Sequence, residues 1–137
     1  MDLSFVSICL LLKNKKILVT QRPKNKPHSY FWEFPGGKLE NNENFYDAAI
    51  RELKEELNIE VSKEKLILID NVNYSYKKNR IIIMSVFLLR NWQNELAPNE
   101  KQKMIWVKEN KIEKMNFLKG GKVILNRIRK NLYNFYL

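Results

Sequence analysis

Apolar and polar positions along this chain separate into runs of strand length and runs with helical spacing. Residues 3–12 form an apolar stretch, and the polar Lys13-Asn14-Lys15 turn leads into a second apolar run at 17–21. The two read as a hairpin, although the turn has no glycine to declare its type. Residues 22–30 carry Pro23 and Pro27 and read as a loop, and the short aromatic stretch 31–34 is broken by Pro35-Gly36-Gly37. A helix is predicted over 44–57. Asn44 can cap it, Asp47 three residues on completes a variant capping box, and Asn58 suits the left-handed residue that closes it. At such a cap, glycine would serve as well as asparagine. Residues 66–72 and 80–89 read as strands joined through Lys77-Lys78-Asn79, with Tyr74 and Tyr76 fitting aromatic strand positions. Residues 91–103 are a polar loop and 104–107 a short strand. From about residue 122, Val123, Ile124, Ile128 and Leu132 recur at helical spacing with basic residues between them, the pattern of a helix docked on a core.

A length of 137 residues is that of one domain spanning 1–137. With 45% hydrophobic and 29% charged residues the composition is that of a globular protein and argues against disorder. Cys9 is the only cysteine, which excludes an internal disulfide and a cysteine-based zinc cluster. No segment reaches the roughly 18 apolar residues of a spanning helix. The apolar start of the chain has Asp2 where a signal peptide needs positive charge, and its lysines follow the apolar run, so the cytoplasm is the expected location. The net charge of +10 is mostly lysine spread along the chain. It would attract a nucleotide polyphosphate as readily as a polymer, so nucleic-acid binding is not the favoured reading.

The chemistry is concentrated in Gly37-Lys38-Leu39-Glu40-Asn41-Asn42-Glu43 and in Arg51-Glu52-Leu53-Lys54-Glu55-Glu56-Leu57. At about 100° per residue, Ala49, Ile50, Leu53 and Leu57 form an apolar stripe, and Glu52, Glu55 and Glu56 share the adjoining arc. Ala48 lies among the carboxylates and leaves space above the helix, Lys54 points elsewhere, and Arg51 can reach Glu55 one turn on. Three carboxylates on one face repel one another, whereas a solvated helix more often alternates its charges. A hard divalent cation, which prefers oxygen ligands and is commonly shared with substrate phosphates, would make sense of the arrangement. The Phe34-Pro35-Gly36-Gly37 turn lets backbone approach a ligand closely where the helix delivers its carboxylates.

This segment resembles the Nudix box, G-x5-E-x7-R-E-U-x-E-E-x-G-U with U aliphatic. Gly37, Glu43, Arg51, Glu52, Leu53, Glu55, Glu56 and Ile59 match, and Asn58 stands where the pattern has glycine. Gln21-Arg22-Pro23 and 32–38 are similar to the entry into the box in the MutT-like branch of the family, and Trp92 and Trp106 bracket the following loop as they do there. The resemblance implies an α/β fold, an α/β/α sandwich around a central mixed sheet. It also implies hydrolysis of (deoxy)nucleoside triphosphates, oxidised purines such as 8-oxo-dGTP included, to monophosphate and pyrophosphate with Mg²⁺, for which Mn²⁺ can substitute.

By position, Glu52, Glu55, Glu56, the Gly36 carbonyl and Glu100 would hold metal. Arg51 would orient a carboxylate, and Glu43 would play a structural part. Either Glu52 or Glu100 could take the proton from an attacking water. Arg22, His28, Glu33, Phe34, Pro35, Gly36, Gly37 and Lys38 would line the substrate, with Phe34 flanking the base. Branch members selective for 8-oxo-dGTP read the base with a polar side chain near the start of the last helix. Aligning Val123-Ile124 with that region puts Gly120 there, with Asn116 the nearest substitute. The expected partner is the nucleotide, with no membrane and a monomer or weak dimer. The alternatives are another activity of the family, on dinucleoside polyphosphates, ADP-ribose or RNA 5′ ends, and a non-catalytic nucleotide-binding module.

Overall fold

The computed structural model describes residues 2–99 and 102–135. Its first strand, β1 (Asp2–Lys13), runs beside β6 (Arg80–Leu89) in parallel over ten residues, from Asp2 opposite Arg80 to Leu11 opposite Leu89. On the far side of β6 lies β5 (Ile67–Lys77), antiparallel to it. The other edge of β1 is shared. Its end turns into β2 (Lys16–Gln21), and its middle pairs with β4 (Gly36–Lys38), with Ser7 opposite Gly37 and Ile8 opposite Gly36. β3 (Trp32–Glu33) and β7 (Met104–Val107) both pair with β2, completing a mixed seven-stranded sheet.

Helix α1 (Phe45–Leu57) covers one face of the sheet, and the other is covered by α3 (Lys119–Phe135), which follows the single turn α2 (Glu109–Ile112). Cys9 and Leu11 pack beneath α1 with Leu53, Leu57 and Phe87. Leu10 and Leu12 face the other way, toward Ile124, Ile128 and Leu132. A strand buried on both faces needs a continuous apolar run, which is why 8–12 and 86–89 do not alternate. The β1–β2 hairpin closes on Asn14 and Lys15, both left-handed (φ 52° and 63°), so the turn is of the I′ type with asparagine and lysine in place of glycine.

Five elements depart from expectation. Gly36–Lys38 is a strand rather than a break, because the extended glycines lie against β1. β5 runs on to Lys77, with irregularities between Leu68 and Asp70 and between Ser75 and Lys77. The 3₁₀ turn at Lys63–Lys65 and the short α2 have too few residues for a periodic signal. α3 begins at Lys119 rather than near 122, since Gly120 and Gly121 weaken the helical pattern without preventing the helix.

Candidate functional site

The capping box expected for α1 is present. Asn44 Oδ1 accepts from the Asp47 amide at 2.8 Å, and the Asn44 amide donates to Asp47 Oδ2 at 3.3 Å. The apolar stripe of Ala49, Leu53 and Leu57 then docks on the sheet, which aims the adjoining arc at β4. Two glycines receive it. At Gly36, with φ +146°, a Cβ would lie 2.0 Å from the Ser7 carbonyl oxygen, so only glycine fits against β1. At Gly37 a Cβ would lie 2.4 Å from the Glu52 carboxyl carbon, so the space a side chain would fill is occupied by the Glu52 carboxylate.

Arg51 binds this corner together. Its Nε and Nη2 grip the Glu43 carboxylate at 2.7 and 2.9 Å, Nη2 also donates to the Lys38 carbonyl at 2.9 Å, and Nη1 reaches Glu52 at 2.9 Å and Glu55 at 3.3 Å. A bidentate guanidinium in this setting fixes orientation as well as charge. Its partners hold Arg51 firmly protonated, led by Glu43, and the Arg51 hydrogen bond holds the Glu43 carboxyl below its ordinary value.

Glu56 lies deeper. Burial pushes its pKa well up, helped by a hydrogen bond with Glu52 and by the charges of Glu52 and Glu33, while the Gly36 amide partly offsets the rise by hydrogen-bonding the carboxylate. Cys9 sits below the same group. Burial first, then Glu56 and Glu52, keep its thiol protonated, so it is core rather than nucleophile.

The remaining sequence candidates fall into three places. Arg22 Nη1 pairs with Glu33 at 3.1 Å while its Nε donates to the Pro27 carbonyl at 2.7 Å, and burial raises Glu33 despite that partner. Lys38 is exposed at the end of β4, and Pro35 is buried, its carbonyl accepting from the Cys9 amide. Asn116 accepts the Trp32 amide through its carbonyl and leaves its side chain exposed, and at Gly120 a Cβ would come no closer than 3.8 Å to Met84 Sδ and Tyr74. His28 stands outside this group, exposed at φ 56° with its ring edge-on to Phe31.

Phe34, expected to flank the base, is buried. It is 3% exposed and packs edge-on against Phe117 at 4.9 Å as part of the core. Glu100 lies outside the described residues. Sequence reasoning missed Asn99, whose amide bonds to the Glu56 carbonyl from the polar loop 91–103; no periodicity marks such a contact.

A model of the NUDIX domain matches residues 3–127. The chain belongs to the Nudix family. It is 43% identical over 85 residues to the 8-oxo-dGTP diphosphatase of Proteus vulgaris, covering 62% of this chain and 73% of that protein. It is 32% identical over 101 residues to the CTP pyrophosphohydrolase of Escherichia coli, covering 74% and 73%. Its fold is that of the MutT protein crystal structure from Methanosarcina mazei, with a TM-score of 0.79 at 21% identity and 95% of each chain covered. As a Nudix hydrolase the protein acts on phosphoric anhydrides, and enzymes of this family generally depend on a divalent metal.

The Nudix corner fits such an ion. Its donors are hard oxygens, and the Glu52–Glu56 pair carries a repulsion that a cation would relieve. Among the described residues no three acidic, histidine or cysteine side chains already converge on one point, and Glu55, 58% exposed, is turned toward Arg51. Glu52 and Glu56 are hydrogen-bonded to each other in the deeper part of the corner, and Glu55 lies nearer the surface.

Proposed function

We propose that this Nudix hydrolase cleaves (deoxy)nucleoside triphosphates, oxidised purine nucleotides such as 8-oxo-dGTP included, to the monophosphate and pyrophosphate. Mg²⁺ is the proposed ion, with Mn²⁺ able to substitute. The observation that carries the reading is the Arg51-organised carboxylate corner at Gly36-Gly37. The names borne by relatives such as the Proteus vulgaris protein support the substrate class.

Glu52, Glu55, Glu56 and the Gly36 carbonyl would hold the ion, together with Glu100. Such an ion, when bound, supplies neutralisation of the phosphate oxygens and a lowered pKa for an attacking water. The residues do the rest. Arg51 fixes Glu52 through the Glu43 anchor, so the carboxylate does not need to reorganise during the reaction. Glu52 or Glu100 accepts the proton as the water oxygen bonds to one phosphorus of the inner anhydride and that anhydride bond breaks, the electron pair leaving on the departing phosphate oxygen, to give monophosphate and pyrophosphate. Arg22 and Lys38 supply positive charge where the triphosphate would lie, and Asn116 and Gly120 border the base end.

A substrate panel tests this. dGTP, 8-oxo-dGTP and CTP would be turned over with a kcat/KM at least about tenfold above ADP-ribose, diadenosine tetraphosphate and 5′-triphosphate RNA. A reversed order would assign the corner to a different Nudix activity.

A further inference from the structure

The helix that carries the carboxylates ends in an unusual way. Its last carbonyls, Lys54 to Leu57, need partners once the helix stops. Asn58, left-handed at φ 62° and ψ 24°, supplies one by donating its amide to the Lys54 carbonyl at 3.1 Å. The other three are taken by a segment forty residues on. The Ala97 amide donates to Leu57 at 3.0 Å, the Asn99 amide to Glu56 at 3.0 Å, and Asn99 Nδ2 to Glu55.

The Asn58 side chain then locks that segment in place. Its Nδ2 donates to the Ala97 carbonyl and to Asn99 Oδ1, each at 2.6 Å. Asn99 is thus held at both ends, its oxygen by Asn58 and its nitrogen by the backbone of Glu55. A glycine at 58 would keep the left-handed turn but could make neither side-chain bond.

We propose that Asn58 and Asn99 form a latch that seats the 97–99 segment on the last turn of α1 and so fixes the helix backbone that carries Glu55 and Glu56, the proposed ligands of a divalent cation. The inference rests on the proposed metal-dependent function, and both asparagines are positioning residues rather than ligands. Outer-shell partners that orient ligands typically affect metal affinity by about 10- to 100-fold, whereas a cap that only stabilises the helix leaves affinity alone.

The test is Mn²⁺ binding without substrate, read from the paramagnetic resonance signal of free Mn²⁺, for the wild type, Asn58→Gly, Asn99→Ala and the double variant. Lys54→Gln, which breaks only the surface pair with Glu60, is the control. Asn58→Gly keeps the backbone geometry and is the variant expected to fold without difficulty. Each single variant is expected to weaken Mn²⁺ binding about tenfold or more, with faster amide exchange at Ala97 and Asn99. The double variant should lose about as much as one single, because the two side chains act as a unit. Affinities within about threefold of wild type in both singles, whatever their stability, would overturn the latch. A wild type that binds no Mn²⁺ would instead overturn the proposed function.

Discussion

Alanine at Gly37 should disable the site and leave the fold standing. The added Cβ would lie 2.4 Å from both the carboxyl carbon and Oε1 of Glu52, and ordinary contact begins at 3.4 Å, so the carboxylate must retreat by about 1 Å. Retreat is cheap for stability, because what moves is the far end of a flexible side chain and Gly37 itself has no left-handed backbone to defend. For the chemistry it is costly. A misplacement of about 1 Å can lower rates by roughly 10²-fold, or about 2.7 kcal/mol of transition-state stabilisation. Alanine at Gly36 should do the reverse. There the clash is with the Ser7 backbone at 2.0 Å and φ is +146°, so nothing flexible can yield, and the variant should lose about 3 kcal/mol or more of stability. Steady-state kcat/KM on a triphosphate and a thermal melt, run side by side, decide it. Gly37→Ala with undiminished activity, or with a melt as depressed as that of Gly36→Ala, would refute the placement of Glu52 in the Gly37 hollow.

Glu56→Gln should lower kcat by about a thousandfold while Lys54→Gln, whose partner is the exposed Glu60, changes it little; comparable activities would contradict the arc assignment. Without metal, a thermal melt should show Glu56→Gln at least as stable as wild type, since it removes a desolvated, repelled carboxylate. Asp70, whose carboxyl is held low chiefly by its hydrogen bonds to Arg127 at 2.8 and 3.1 Å, should contribute stability above its unfolded value that disappears as pH falls through its lower folded value. The stability gap between wild type and Asp70→Asn, no more than about 1 kcal/mol for so exposed a pair, should close across that acid window, and a pH-independent gap would contradict it. With no side chain at Gly120, preference for 8-oxo-dGTP over dGTP should stay within about 200-fold in kcat/KM; a ratio above about 10⁴ would mean another side chain reads the base, with Asn116 the first to mutate.

The sequence shows α1 almost in full because every signal for it is local. The Asn44–Asp47 box, the 49–53–57 stripe and the Asn58 cap all act within one element, and the carboxylate arc follows from the stripe. β1 and β6 are legible for the same reason, as apolar runs long enough to bury both faces, although their parallel pairing is not. What escapes is set by contacts between distant segments. Gly36-Gly37 reads as a break because local propensity cannot register that β1 and Glu52 occupy the space beside it. Phe34 is expected beside the base only by resemblance, because a short aromatic stretch does not reveal which way its side chains point; its edge-on contact with Phe117 is set by a segment about eighty residues on. Asn58 reads as a cap that glycine could replace, since its bonds to Ala97 and Asn99 cross about forty residues of chain.

Metal-dependent cleavage at the inner anhydride bond is the reaction proposed for the Arg51-organised carboxylates. It is tested most directly by incubating the protein with 8-oxo-dGTP or dGTP and Mg²⁺ in ¹⁸O-labelled water and identifying both phosphate products. Monophosphate and pyrophosphate are expected in equal amounts, with no turnover once excess chelator is added. Orthophosphate as the only phosphate product, or turnover undiminished by chelator, would contradict it.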